Sequence, residues 1–336
     1  MDMGELILGA PVAGLASRSR IVAEDVLLLR REVFRDGVVS RGEAESLFAL
    51  DASCDDKCAE WSDFFVEALT DYLVHQEKPA GYVSQDNADW LIRAISTDGK
   101  VDTASELELL VKVLETARRS PDRLVAFALS QVAIAVTEGE GVLARRRGSL
   151  TPGSIMEAEV ELMRRILFAA GGDGHLGISR AEAEVLFDLN DRTALADNHP
   201  SWDELFVKAL ANYLMCASGY TPPSREDALR RDRLLEEEDV NIGRFFSRMV
   251  SGGLSGILDA YRREDGAEAW HRARNARLEA ETAIAERIDN AEAEWLATRI
   301  GRDGRFHRNE AALLAFLRDE SPEIHPALKP LIERIA

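Results

Sequence analysis

An internal repeat constrains the fold of this chain more than any other sequence feature. Residues 40–50 and 179–189 are identical at eight of eleven positions, and the Trp-led segments 61–73 and 202–214 are identical at seven of thirteen. The offsets between the copies, 139 and 141 residues, nearly agree. Self-similarity at one offset indicates a duplicated structural unit. The sequence therefore predicts two tandem copies of one unit.

The two copies differ in length because the second is interrupted. A Trp-Leu pair and a later Asp-Gly dipeptide recur near the end of each copy, but the early and late tryptophans are 29 residues apart in the first copy and 93 in the second. This difference predicts an insertion at about residues 220–285. Glycine and proline within 145–154 are typical of a linker. We therefore expect domains at 1–148 and 149–336.

The apolar residues follow a helical period. In 61–73 they are spaced by three, four and seven residues, and the same spacing occurs in 107–114 and 155–167. An alternating β-type pattern bounded by turns does not occur in the sequence. The predicted fold class is therefore all-α, with two tandem helical-bundle repeats and a helical insertion in the second.

Charge and composition narrow the possible partners. The chain has 60 acidic and 41 basic residues, a net charge of −19, which disfavours nucleic acid because phosphate contacts need Lys and Arg. The longest apolar run, residues 124–136, is shorter than the roughly 20 residues of a membrane span, so no span is expected. Three cysteines and an acidic N-terminus favour a reducing cytoplasm.

Four Asp-Gly turns, each followed by a glutamate, are the candidate site of the chain. One interpretation is structural, because Ser40, Thr103 and Ser179 each precede the glutamate by three residues, as in a helix capping box. The other is that the carboxylates bind a divalent cation, calcium or magnesium, which prefers several oxygen ligands. The eight candidate metal ligands are Asp36, Glu43, Asp98, Glu106, Asp173, Glu182, Asp303 and Glu310.

The repeated order of helix, Asp-Gly, capping residue, glutamate and helix in an acidic chain resembles the tellurite-resistance TerB-like domain family. The similar segments are 26–129 and 160–214 joined with 287–333. The resemblance implies a compact helical domain with an acidic cluster, proposed to bind metal ions in stress-response complexes. It implies the same eight acids as ligands. The chain departs from the pattern at His307, where the capping hydroxyl is missing, and in the insertion.

The predicted insertion carries an apolar helical face. Its residues form two adjacent rows at steps of four or eight. Such a face packs on its own domain or contacts a protein partner or a second copy of the chain. The residues of this candidate partner-binding face are Phe245, Phe246, Met249, Val250, Leu254, Ile257, Leu258 and Tyr261.

Complete enzyme motifs do not occur in the sequence. Cys54 and Cys58 lack the second ligand pair of a zinc site, and the chain has no P-loop. The expected function is therefore a non-enzymatic acidic binding or scaffold protein in a stress-response context, holding a divalent cation or a basic partner. Two alternatives stay open. One is a metal-dependent enzyme whose ligands converge only in the fold, and the other is an interaction module acting through the insertion.

Overall fold

A computed structural model describes most of the chain apart from the N-terminus and the predicted insertion. The predicted all-α class is confirmed, with only two two-residue strands among the described residues. The described residues are 20–33, 37–76, 78–96, 98–147, 153–169, 177–215, 290–320 and 324–334, together with Leu229 and Ile288.

Among its described residues, the first predicted unit has seven α-helices, one π-helix and a short parallel strand pair. The strands pair Arg20 with Asp56 and Ile21 with Lys57. In chain order the elements are β1 Arg20–Ile21, α1 Ala23–Val33, α2 Arg41–Ser53, β2 Asp56–Lys57, α3 Ala59–Thr70, the π-helix Asp71–Gln76, α4 Gln85–Ile95, α5 Ala104–Thr116, α6 Asp122–Thr137 and α7 Gly141–Arg147.

The described helices of the second predicted unit lie before and after the predicted insertion. Its elements are α8 Glu157–Ala169, α9 Arg180–Thr193, α10 Ser201–Met215, α11 Asn290–Arg299, α12 Arg308–Glu320 and α13 Lys329–Ile332. The predicted domain boundaries are not tested by these bounds, and they stay a prediction.

Local sequence explains where the helices begin. At α2, α5 and α9 the hydroxyl of Ser40, Thr103 or Ser179 accepts the backbone N–H of a glutamate three residues later, and that glutamate accepts the N–H of the capping residue. The three predicted capping boxes are therefore confirmed, and each such cap is worth about 1 kcal/mol. Gly99 and Gly304 follow the aspartates with φ of 86° and 82°, a conformation that favours glycine.

Equivalent aromatic residues make the same contacts in the two predicted units. The ring centroids of Phe48 and Trp90 are 5.6 Å apart at 81°, and those of the equivalent pair, Phe187 and Trp295, are 5.5 Å apart at 85°. An arginine guanidinium lies over each of these tryptophans. These matched contacts are what a duplication requires, and the two-repeat arrangement itself stays a prediction.

The units share one hydrophobic core. Helix α6 packs against α9 and α8, and α5 packs against α8. One stretch of the described residues, Asp122–Arg145, is apolar and long enough to cross a membrane by composition, and 44% of its most apolar window is buried inside the protein. A core helix has the same properties, so this stretch is weak evidence for a span and no multi-span protein is indicated.

Candidate functional site

The four glutamates of the predicted metal set share one structural role. The carboxylate of each accepts the backbone N–H of the residue three positions earlier, at donor–acceptor distances of 2.6 to 2.9 Å. Glu310 also accepts the N–H of Gly301 at 2.8 Å, so its carboxylate bridges two amides of its turn. These bonds are helix caps. The set is Glu43, Glu106, Glu182 and Glu310.

The structure describes two of the four aspartates of the Asp-Gly turns. Asp98 and Asp303 each accept the backbone N–H two residues later, at 3.3 and 2.9 Å, and Asp303 also contacts Nε2 of His307 at 2.7 Å. Asp36 and Asp173 lie outside the described residues. Over the described parts of the chain, three or more His, Cys, Asp or Glu side chains do not gather as a metal site would require. Cation binding at the turns stays a prediction.

Two of the capping glutamates have a raised pKa. Burial raises the pKa of Glu182 to about 7, against the lowering effect of its hydrogen bonds with Ser179. Burial likewise raises the pKa of Glu106 to about 7, and the nearby Asp51 carboxylate raises it further, while hydrogen bonds with Thr103 lower it. Such carboxyls hold their protons at mildly acidic pH, because the buried charged form loses hydration.

A buried carboxylate that the sequence pattern did not single out organises the first unit. The Asp51 side chain is fully buried at the end of α2. One oxygen accepts Nε1–H of Trp61 at 2.7 Å and lies 2.8 Å from Nζ of Lys57, and the other accepts the Thr103 hydroxyl at 2.8 Å. Asp51 therefore ties α2, α3 and the start of α5 together.

The second unit has a different arrangement at the equivalent positions. The two repeat offsets align Asp51 with Asn190 and Lys57 with Asn198. Asn190 accepts an amide N–H of Asn309 at 2.9 Å, while its own Nδ2 is buried without a hydrogen-bond partner in the structure as described. Nε1 of Trp202, the equivalent of Trp61, is also buried without an acceptor.

A cavity of about 290 Å³ opens beside this arrangement, and we call it the amide pocket. It lies between the C-terminal end of α9, the loop to α10 and the start of α12. The lining residues with polar or charged side chains are Asn190, Asp197, Asn198, Asp203, His307, Arg308 and Asn309.

A second cavity, of about 540 Å³, lies in the first unit between α3 and α5, and we call it the acidic groove. It is lined by four carboxylates and a single lysine, Lys112. Thr70 also lines it, and its hydroxyl is buried without a hydrogen-bond partner within the described part of the chain. The four carboxylates belong to Asp63, Glu67, Asp71 and Glu108.

The π-helix forms one end of the acidic groove through Asp71 and His75. Gln76 donates to the Asp71 carboxylate and accepts the backbone N–H of Val39 at 2.9 Å. In the second unit Asn212, which aligns with Asp71, accepts the equivalent N–H, that of Ile178, at 2.9 Å. In the first unit Asp71 occupies this position, and the π-helix that begins there brings the Gln76 side chain to the N–H of Val39. Such π-turns are frequent at functional sites.

Arg299 forms a buried charge centre that is specific to the second unit. Its side chain is 4% exposed, and its guanidinium lies within 3.4 Å of carboxylate oxygens of Glu184, Asp188 and Asp191. Burial raises the pKa of Asp191 to about 6, although Arg299 opposes this effect. The aligned residue of the first unit is Ala94, so this centre is not part of the repeat.

The predicted partner-binding face of the insertion, residues 245–261, lies outside the described residues. No protein-family model, curated protein or solved structure matches the chain. The resemblance to the TerB-like family, and the metal and stress-response roles that it implies, therefore stay predictions.

Proposed function

We propose that the protein is a non-enzymatic binding protein that recognises a basic segment of a partner protein in the acidic groove. The observation that carries this proposal is the lining of the groove, in which four carboxylates surround one lysine. The net charge of −19 adds a long-range attraction for basic ligands.

Neighbouring arginines support the chemical fit between the groove and a basic segment. Arg30 binds Glu67 through two parallel hydrogen bonds, and Arg165 lies 3.5 Å from Glu108. In both pairs the side chains are about half exposed. Exposed pairs of this kind contribute about 0.2–1 kcal/mol each, so a partner's arginine can replace them at small cost.

Fluorescence anisotropy with a labelled oligoarginine peptide tests the proposal on the full chain. The double variant Asp63→Asn/Glu67→Gln removes two charges from the groove and should weaken binding about three- to tenfold. Raising the salt concentration should weaken binding to the wild type, because exposed charges are screened.

The matched control removes two charges from the second unit. The side chains of Glu161 and Glu204 are each 58% exposed, and Glu204 aligns with Asp63. The Glu161→Gln/Glu204→Gln variant should bind the peptide within about twofold of the wild type. Equal losses in the two double variants would mean that the peptide reads only the overall charge, and the proposal would be wrong.

A further inference from the structure

Two residues that line the amide pocket, Asn190 and Asn198, align with Asp51 and Lys57, the internal ion pair of the first unit. There, the Lys57 ammonium contacts the Asp51 carboxylate and donates to its backbone carbonyl at 2.7 Å. In the second unit the aligned Asn198 has other hydrogen-bond partners. Its side chain accepts the N–H of Ile155 and donates to the carbonyl of Thr193, each at 2.9 Å. The second unit therefore has an asparagine with other partners at the position of the lysine, and a cavity opens beside it.

The inner wall of the amide pocket carries a buried hydrogen-bond donor that has no acceptor within the described part of the chain. Asn190 is 2% exposed, and its Nδ2 has no acceptor among the described residues. A buried unpaired donor costs about 1–3 kcal/mol, so an oxygen acceptor is favoured here.

The mouth of the pocket has the opposite character. Asp197 is exposed and Asp203 is half-buried. Arg308 lies 3.3 Å from Asp203, but its side chain is 88% exposed and extends into solvent. A ligand that carries only negative charge would therefore be repelled at the mouth, whereas a positive group beside the carboxylates of Asp197 and Asp203 would be favoured.

The geometry points to a small zwitterion of the amino-acid class as the ligand of the amide pocket. Its carboxylate would reach the Asn190 and Asn309 amides, in the role that the Asp51 carboxylate has in the first unit. Its ammonium would lie between Asp197 and Asp203. The cavity of about 290 Å³ is at the small end of ligand pockets, which suits a molecule of this size.

The test is a thermal-shift screen of the common free L-amino acids against the full chain, followed by calorimetric titration of any that raises the melting temperature. At least one should bind saturably. Its carboxamide derivative and its deaminated acid should each bind at least about tenfold more weakly, because each lacks one charged hydrogen-bonding group. Failure of every amino acid to bind, or equal binding of the carboxamide, would overturn the inference.

Two variants locate the binding. Asn190→Asp replaces the donating amide by a carboxylate that would repel the ligand's carboxylate, and it should abolish the titration heat. Asp203→Asn, at a half-buried mouth position that can be changed without unfolding the core, should weaken the amino acid about tenfold and leave the deaminated acid unaffected. Glu204→Gln, on the adjacent exposed residue, is the control and should change nothing. Unchanged binding in Asp203→Asn would place the ligand elsewhere and refute the site.

Discussion

Replacing Asp51 by asparagine tests whether the buried carboxylate holds the first unit together. The substitution keeps the shape of the side chain but leaves one oxygen where two now accept hydrogen bonds from Trp61 and Thr103. It also leaves the ammonium of Lys57, whose side chain is 18% exposed, without its counter-ion.

The expected loss can be worked from these contacts. Removing one partner of a buried ion pair costs about 3–5 kcal/mol when the other charge stays buried. Lys57 is partly exposed and can turn its ammonium toward water, so we expect the lower end, about 3 kcal/mol. The double variant Asp51→Asn/Lys57→Asn, which copies the second unit, should recover about 1 kcal/mol of this loss, because residues in contact do not act additively.

Hydrogen-exchange mass spectrometry is the assay, because it reports the opening free energy of α2 and α3 separately from the second unit. Peptides from these helices should exchange faster in Asp51→Asn than in the wild type. The exchange rate of peptides from α9 should change less. Asp63→Asn, an exposed carboxylate on α3, is the control. A change below about 0.5 kcal/mol in α2 and α3 would show that the Asp51 contacts are not an anchor.

Three further predictions follow from the buried charges and the turns. Burial raises the pKa of Glu182 to about 7 in the folded protein, whereas a glutamate in the unfolded chain has a pKa of about 4.3. The protonated form of Glu182 therefore stabilises the fold fully below about pH 4, and this contribution is lost as the pH rises through 7. The melting temperature of Glu182→Gln should therefore rise relative to that of the wild type as the pH is raised from about 5 to about 8. A difference in melting temperature that does not change with pH would contradict this. Arg299→Met should lower the stability of the second unit by about 2–3 kcal/mol at neutral pH, with a smaller loss at pH 4, because three partly exposed carboxylates lose their counter-ion; a urea titration at both pH values measures it, and an equal loss at both would show that the carboxylates are not involved. Calorimetry with calcium and magnesium should show a saturable heat if the turns bind cations, and the heat should vanish when alanine replaces Asp36, Asp98, Asp173 and Asp303.

Local features of this fold could be predicted from the sequence because they depend on neighbouring residues. A hydroxyl residue followed three positions later by glutamate specifies a capping box, and all three such predictions are confirmed. The helical class follows from apolar spacing in the same way. The acidic groove could not be found like this, since α3 and the π-helix supply three of its carboxylates and α5 supplies Glu108, which lies 37 to 45 residues further along the chain.

Asp51 and Asn190 show why the amide pocket could not be predicted from the sequence pattern. Both follow an eleven-residue block that is nearly the same in the two copies, and both occupy the last turns of a helix, where a polar residue is ordinary. Only the fold brings the Trp61 indole and Thr103 to Asp51, and Asn309 to Asn190. The first unit has Asp51 and Lys57, whereas the aligned positions of the second unit have Asn190 and Asn198 beside an open cavity. These two changes from charged to amide side chains distinguish the structural anchor of the first unit from the candidate binding site of the second.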